Sequence, residues 1–405
     1  MNHFQTLDDL DVRGKRVFVR LDLNVPMADG VITDATRIDR SLATLRHLSD
    51  NGARIIIASH FGRPKGQVVD SMSLRPVAGA LAQSLGKAVD FTRDCIGPAA
   101  QAAVSRLADG GIVMLENLRF HAGEENNDPS FAQALADLAE IYVNDAFSAA
   151  HRAHASTEGI TRHLPSVAGR LMQTELDALA NALEAPEHPL AALVGGAKIS
   201  SKMEVLGNLV RRADLVIIGG GMANTFLFAQ GINIGSSLCE KDMAGQALDI
   251  MTRARERGCE IVLPVDAVVA REFAAGAANQ IVDLRAIPDD AMMLDVGPAS
   301  IRAVVDHLAR CRTIVWNGPM GAFEISPFDG GTNAVAQEVA RLTSDGKMLS
   351  VAGGGDTVAA LANAGVVDRF SYVSTAGGAF LEWLEGKELP GVAALSANLA
   401  ARLTG

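Results

Sequence analysis

The strongest constraint on this chain is a recurring order of segments. Short runs of β-branched and aliphatic residues each close on a polar or glycine-rich loop and are followed by a stretch rich in Ala and Leu. Strand, turn and helix in that order build parallel α/β sheet, because parallel neighbours need a crossover long enough to hold a helix. In the first part the runs are 16–25, 53–59, 111–117 and 141–144; in the second they are 190–194, 215–218, 260–264, 292–296, 313–316 and 348–352. They are almost continuously apolar, as strands covered on both faces are. Between the two sets, Leu171, Leu176, Leu179 and Leu183 fall at helical spacing before two prolines. The expected architecture is therefore two Rossmann-like three-layer domains with parallel sheets, 1–168 and 188–387, joined by a linking helix and hinge over 169–187. Ligands of such sheets bind beyond the carboxyl ends of the strands, so the loops after these runs are where chemistry is expected.

Composition removes several other classes. A chain of 405 residues, 48% hydrophobic and 20% charged, has the make-up of a globular protein of about two domains. No run approaches the roughly 18 apolar residues of a membrane span, and the opening segment lacks the apolar core of a signal peptide. The expectation is a cytoplasmic protein with no membrane partner. The net charge of −11 repels nucleic acid, and only 4% of residues are aromatic, too few for a surface built on base stacking. Any basic site must be local. Cys95, Cys239, Cys259 and Cys311 contain no C-x-x-C pair and have no histidine at zinc-ligand spacing. They read as reduced, buried small residues.

A local basic site is present in the first half. Its strand ends supply RLDLNVP with Asp22 and Asn24, DATRIDR with Arg37, SHFGRP with His60 and Arg63, ENLRF with Arg119, and AHRAH with His151, Arg152 and His154. One such arginine alone is as easily a surface charge. Several converging on one sheet suggest a small, multiply anionic ligand, since the guanidinium fork binds phosphate or carboxylate at two points and stays charged. His151 and His154 have a spacing that allows a shared metal, but no third ligand and no H-E-x-x-H accompany them. Contact with the ligand, or orientation of neighbouring arginines, is the preferred reading.

In the second half the strand ends are glycine-rich: VGGAKISSK, IIGGGMANTF, DVGP, WNGPMGAFE and VAGGGDT. Glycine lets backbone N–H groups approach an anion, and a helix starting there adds its positive end. Neither G-x-x-x-x-G-K-[ST] nor G-x-G-x-x-G occurs. Lys198 and Lys202, four apart, would share one face of a helix and could both reach phosphates. Asp356 reads equally well as a helix N-cap or a magnesium ligand. Glu324 could accept ribose hydroxyls or cap a helix.

These segments, together with STAGGAF, occur in the order seen in phosphoglycerate kinases, and from Val12 to Leu395 the sequence resembles a bacterial member. The resemblance implies reversible phosphoryl transfer between ATP and 3-phosphoglycerate, giving ADP and 1,3-bisphosphoglycerate, with Mg2+ as cofactor. It implies a glycerate site at Asp22, Asn24, Arg37, His60, Arg63, Arg119 and Arg152. The nucleotide would contact Lys202, Glu324 and the Gly353, Gly354, Gly355 and Asp356 loop, with Gly195, Gly220, Gly297, Asn317 and Thr357 carried over beside them. Asp356 would hold the metal with the nucleotide phosphates. Arg37, Lys198, Lys202, Gly354 and Gly355 would serve the transferring group. The resemblance further implies a monomer whose C-terminal segment, about 388–405, packs back onto the first domain. The sequence departs from the family pattern at Ala376, which breaks a run of three glycines, and at Phe380. If that loop supplies backbone amides to the transferring phosphate, the extra methyl at Ala376 could alter its closure.

Overall fold

The computed structural model describes residues 4–28 and 30–404, with side chains to residue 398. The chain forms two compact units, one running to Leu176 and resuming at Glu388, the other spanning Asp177–Lys387.

The first unit contains β1 (Arg16–Leu21), a small hairpin of β2 (Met27–Ala28) and β3 (Val31–Ile32), then β4 (Arg54–Ala58), β5 (Asp90–Phe91), β6 (Ile112–Met114), β7 (Ile141–Asp145) and β8 (Ser166–Ala168). Six of these make one parallel sheet in the order β5-β6-β4-β1-β7-β8. Alternation along β1 sends Val17, Val19 and Leu21 into one core with Ile55 and Ile57, while Phe18 joins Ile56 and Tyr142 on the other face. The same alternation aims Arg20 at Phe18's face, where it is almost wholly buried. The strand order reverses between β1 and β7, which opens the crevice at their carboxyl ends.

The second unit contains β9 (Leu190–Val194), β10 (Leu215–Ile218), β11 (Glu260–Val262), β12 (Asp266–Ala270), β13 (Asn279–Asp283), β14 (Met292–Val296), β15 (Thr313–Asn317), β16 (Leu349–Gly353) and β17 (Tyr372–Ser374). Its parallel sheet runs β11-β10-β9-β15-β16-β17 and reverses between β9 and β15. The run 292–296 does not belong to it. As β14, it pairs antiparallel with β12 in a separate sheet ordered β13-β12-β14, which has its own small core of Leu227, Ala267, Val269 and Ile287. Its first three residues are only half-buried, unlike those of β9.

The segment expected as one linking helix is a helix over Arg170–Leu179 that loosens into a π-turn over Ala180–Glu184. Its start is held by Asp145, whose Oδ1 accepts the Met172 N–H at 3.0 Å. Burial pushes the Asp145 carboxyl up to about 6. The C-terminal helix Pro390–Thr404 belongs to the first unit. There the Gly391 N–H donates to Ala150 O at 2.8 Å, and Asn398 Nδ2 donates to Thr161 O and Leu164 O at 3.0 Å.

Candidate active site

At the carboxyl end of the first sheet the expected residues gather around Asp22 and Arg20. Arg37 Nη1 and Ser148 Oγ both donate to Asp22 Oδ2, and the Asn24 N–H donates to Oδ1 at 3.1 Å. Burial opposes ionisation of Asp22, but the Arg37 guanidinium and these hydrogen bonds favour it, and its carboxyl stays below the ordinary value. Asn24 Oδ1 accepts the Gly62 N–H at 2.9 Å, and Arg119 Nη1 donates to Gly62 O at 2.8 Å, so both residues fix the SHFGRP turn. Arg119 is buried, and its Nε lies 3.3 Å from Glu125. Arg152 Nε donates to His151 Nε2 at 3.2 Å. Arg63 stands exposed in the same turn.

Two histidines are kept neutral here. Burial and the Arg20 cation drive His60 well below its usual value, and burial with Arg20, Arg119 and Arg152 takes His154 down to about 4. At pH 7 neither carries charge, so the positive potential belongs to the arginines. Cations placed this close, with Asp22 and Glu125 ion-paired to only two of them, suit a small ligand carrying several negative charges.

At the carboxyl end of the second parallel sheet, the loops after β9, β15 and β16 interlock. A Cβ on Gly195 would lie 1.8 Å from Pro319 O, so only glycine lets these two loops cross. Lys202 Nζ is held where they meet, donating to Gly195 O at 2.7 Å, Asn317 O at 3.1 Å and Asn317 Oδ1 at 2.5 Å. Burial takes the ammonium down to about 8, against the pull of Asp356. Asn317 Nδ2 donates to Gly353 O at 2.7 Å, and Thr357 Oγ1 accepts the Gly318 N–H at 2.7 Å. Gly354, at φ +100°, turns the chain into the helix Gly355–Asn363, whose first N–H groups are unpaired within the helix. Beside this lies a largely apolar cavity of about 620 Å³, walled by Gly220, Leu238, Pro264, Met293, Phe323 and Glu324, among others, with Asp356 on its wall.

An ammonium, a helix start and a largely apolar cavity side by side match a nucleotide's phosphates and base. Comparison with known proteins agrees. The phosphoglycerate kinase family profile matches residues 7–387. The phosphoglycerate kinase of Granulibacter bethesdensis is 61% identical over 394 residues, covering 97% of this chain and 100% of that protein. That of Rhodospirillum centenum is 62% identical over the same shares.

The chain belongs to the phosphoglycerate kinase family.

The solved phosphoglycerate kinase of Coxiella burnetii superposes with a TM-score of 0.91 at 43% identity, over 97% of this chain and 99% of that one. That of Pyrococcus horikoshii gives 0.80 at 32% identity, over 98% and 99%. The reaction is reversible phosphoryl transfer between ATP and 3-phosphoglycerate, and the fold is that of the family. Among the described residues no helix is long and apolar enough to cross a membrane.

Several expectations about this phosphoglycerate kinase site need correction. Lys198 and Lys202 do not share a helix face. Lys198 is exposed in a loop, and Lys202 ends the 3-10 turn Ser200–Lys202, because the crossing at Gly195 delays the helix to Met203–Leu209. Asp356 is not an N-cap: Gly354 holds that position, and Asp356 is exposed in the first turn. Glu324 caps no helix, since Asp329 precedes the next one. Gly297 is absent from the cavity wall; its Cβ would strike the Asp266 carboxylate at 2.3 Å, so packing accounts for it. Ala376 is buried, and its backbone is not left-handed. Phe380 lies against Gly353, where a Cβ would meet its ring at 2.6 Å.

Arg20 was missed as a site residue. Its Nε donates to Ser156 Oγ at 2.8 Å, Nη1 donates to Leu21 O, and Nη2 lies 3.1 Å from His60 Nδ1. The available signal was an arginine inside the apolar run VFVRL. Ser148 and the cavity residues Leu238, Met293 and Phe323 carried no comparable signal.

Proposed function

We propose that the first unit of this phosphoglycerate kinase binds 3-phosphoglycerate or 1,3-bisphosphoglycerate, and that the second binds ATP or ADP. The observation that carries the reading is the arrangement at Lys202: a desolvated ammonium held on three oxygens beside a glycine turn that opens a helix N-terminus. Arg63, Arg119 and Arg152 take the anionic ends of the glycerate, with Asp22, Asn24 and His60 at its hydroxyl and carboxyl groups. Lys202 and the amides after Gly353 take nucleotide phosphates. Asn317 and Thr357 keep that loop in place, Gly195 and Gly220 let the loops approach, and Glu324 meets the ribose.

The acceptor carboxylate is already ionised at neutral pH, so the reaction needs no general base. What it needs is alignment and neutralisation of charge on the transferring group. Arg37 and Lys198 supply charge there, and Gly354 and Gly355 offer amide hydrogens. Asp356 fits a magnesium partner: it is an exposed carboxylate beside the phosphate-binding lysine, and magnesium favours one or two carboxylates together with substrate phosphates. Bound there, Mg2+ would neutralise phosphate charge. Direct transfer requires the two ligands to meet with water excluded, so the reading includes closure about the linking segment. Small-angle scattering should give a smaller radius with both ligands than with neither; an unchanged radius counts against closure.

The protein is taken as a cytoplasmic monomer, which sedimentation tests for the oligomeric state. The reaction and the nucleotide site are tested together by coupled turnover of magnesium-ATP with 3-phosphoglycerate, run beside Lys202→Ala. Acceptor-dependent turnover that collapses in the variant supports the assignment. Equal turnover in both proteins overturns the role given to Lys202.

A further inference from the structure

Next to the turn that carries Arg119, the first unit brings together three side chains of metal-binding type that the glycerate site does not use. Asp94 and Cys95 lie in the turn between β5 and the helix Gly97–Ser105, and His121 follows the turn Leu118–Phe120. One ligand atom from each falls within 4.8 Å of the other two, the one such grouping of three or more among the described residues. We infer that Asp94, Cys95 and His121 bind a zinc-class divalent cation.

The donor set selects the metal. A thiolate and an imidazole favour zinc over magnesium or calcium, and the carboxylate supplies a third donor that zinc accepts. The cluster is held in shape: Asp94 Oδ1 accepts the Cys95 N–H at 2.7 Å and lies 2.8 Å from His121 Nε2. The His121 ring packs on Phe131 with centroids 5.3 Å apart. Cys95 forms the inner wall at 1% exposure, whereas the Asp94 and His121 side chains are 44% and 33% exposed. That leaves one open side for entry and for a water as fourth ligand. Burial, with the negative charge of Asp94, Glu124 and Glu116, holds the Cys95 thiol well above its ordinary value, so the thiolate forms there only together with the cation. Tetrahedral ligation needs about 3.3 Å between the N and O donors and about 3.5 Å between N and S. The Asp94–His121 contact must therefore open by about half an ångström as the thiol draws in. Binding releases the Cys95 thiol proton to solvent and needs Nε2 of His121 unprotonated.

The test is titration of the reduced full-length protein with cobalt(II) chloride, without nucleotide. The expected result is one equivalent bound, with a thiolate-to-cobalt charge-transfer band that zinc(II) displaces and millimolar magnesium does not. The band should vanish in Cys95→Ser, and cobalt affinity should fall at least about tenfold in His121→Gln and in Asp94→Asn, the scale on which weaker outer-shell changes already act. Absence of the band in the wild-type protein overturns the inference, as does its survival in Cys95→Ser, which would assign it to another cysteine. Should Cys95→Ser fail to fold by circular dichroism, the two exposed-ligand variants decide, and wild-type affinity in both overturns it.

Discussion

Lys202 makes nucleotide affinity depend on pH in a direction the structure fixes. Its ammonium sits on Gly195 O and both oxygens of Asn317, and burial lowers it from 10.5 to about 8. In the ligand-free protein the folded value is below the unfolded one. The buried charge therefore costs stability in full below about pH 8, and that cost fades as the pH rises through 8 towards 10.5. Nucleotide phosphate reverses the balance, since it pairs with the cation. If only the ammonium form binds well, the apparent Kd scales as 1 + 10^(pH − pKa), a rise of about tenfold between pH 7 and pH 9. A phosphate's own last ionisation, near 6, is complete below that window. Binding should also take up about half a proton at pH 8. Calorimetric titration with ATP in two buffers of different ionisation enthalpy, from pH 7 to pH 9, measures both quantities. In Lys202→Met, affinity at pH 7 should drop by the worth of a charged hydrogen bond, about 1.5–3 kcal/mol or roughly 10- to 150-fold, and the pH slope should disappear. A flat wild-type profile, or a slope that persists in Lys202→Met, refutes the reasoning.

Three further outcomes follow from the geometry. Arg37→Ala should lose on the order of 10² to 10³ in kcat in steady-state assays, as loss of a preorganised donor does; a change confined to KM would make it a binding residue only. Burial raises the Asp295 carboxyl to about 7, against hydrogen bonds from the Gly331 and Val296 N–H groups. Its ionisation then costs nothing below pH 3.8 and progressively more up to about 7, so apparent Tm should fall from pH 5 to pH 8 with a slope that flattens in Asp295→Asn. An unchanged slope contradicts this. Gly195→Ala sets a methyl 1.8 Å from Pro319 O, so it should lower both Tm and ATP affinity while leaving 3-phosphoglycerate binding to the folded protein intact.

The strands that were legible are those buried on both faces. β9 and β10 begin and end where their apolar runs do, and β1, β4 and β6 are shorter than theirs because polar residues there turn into the site. The edge strands β5, β8 and β17 are two or three residues long, too short for any periodic signal. β14 misled because an apolar run does not state its partner; the buried β12 claims it as an antiparallel neighbour with a register shift near Val268 and carries the exposed β13 on its other edge. The arginines of the first unit were legible as charges at strand ends, while Arg20 was hidden inside a strand. The relation of Lys198 to Lys202 was misread because the crossing of backbones at Gly195 and Pro319 is a tertiary constraint that local spacing does not carry. The same limit hid His121 from Cys95.

The central claim is that two separate residue sets serve two separate ligands, and its most direct test is a crossed binding experiment. Dissociation constants for 3-phosphoglycerate and for ATP are measured by calorimetry on the wild-type protein, Arg119→Ala and Lys202→Met. The account predicts that Arg119→Ala loses 3-phosphoglycerate affinity with ATP binding unchanged, and that Lys202→Met does the reverse. Either variant weakening the other unit's ligand instead of its own would contradict it.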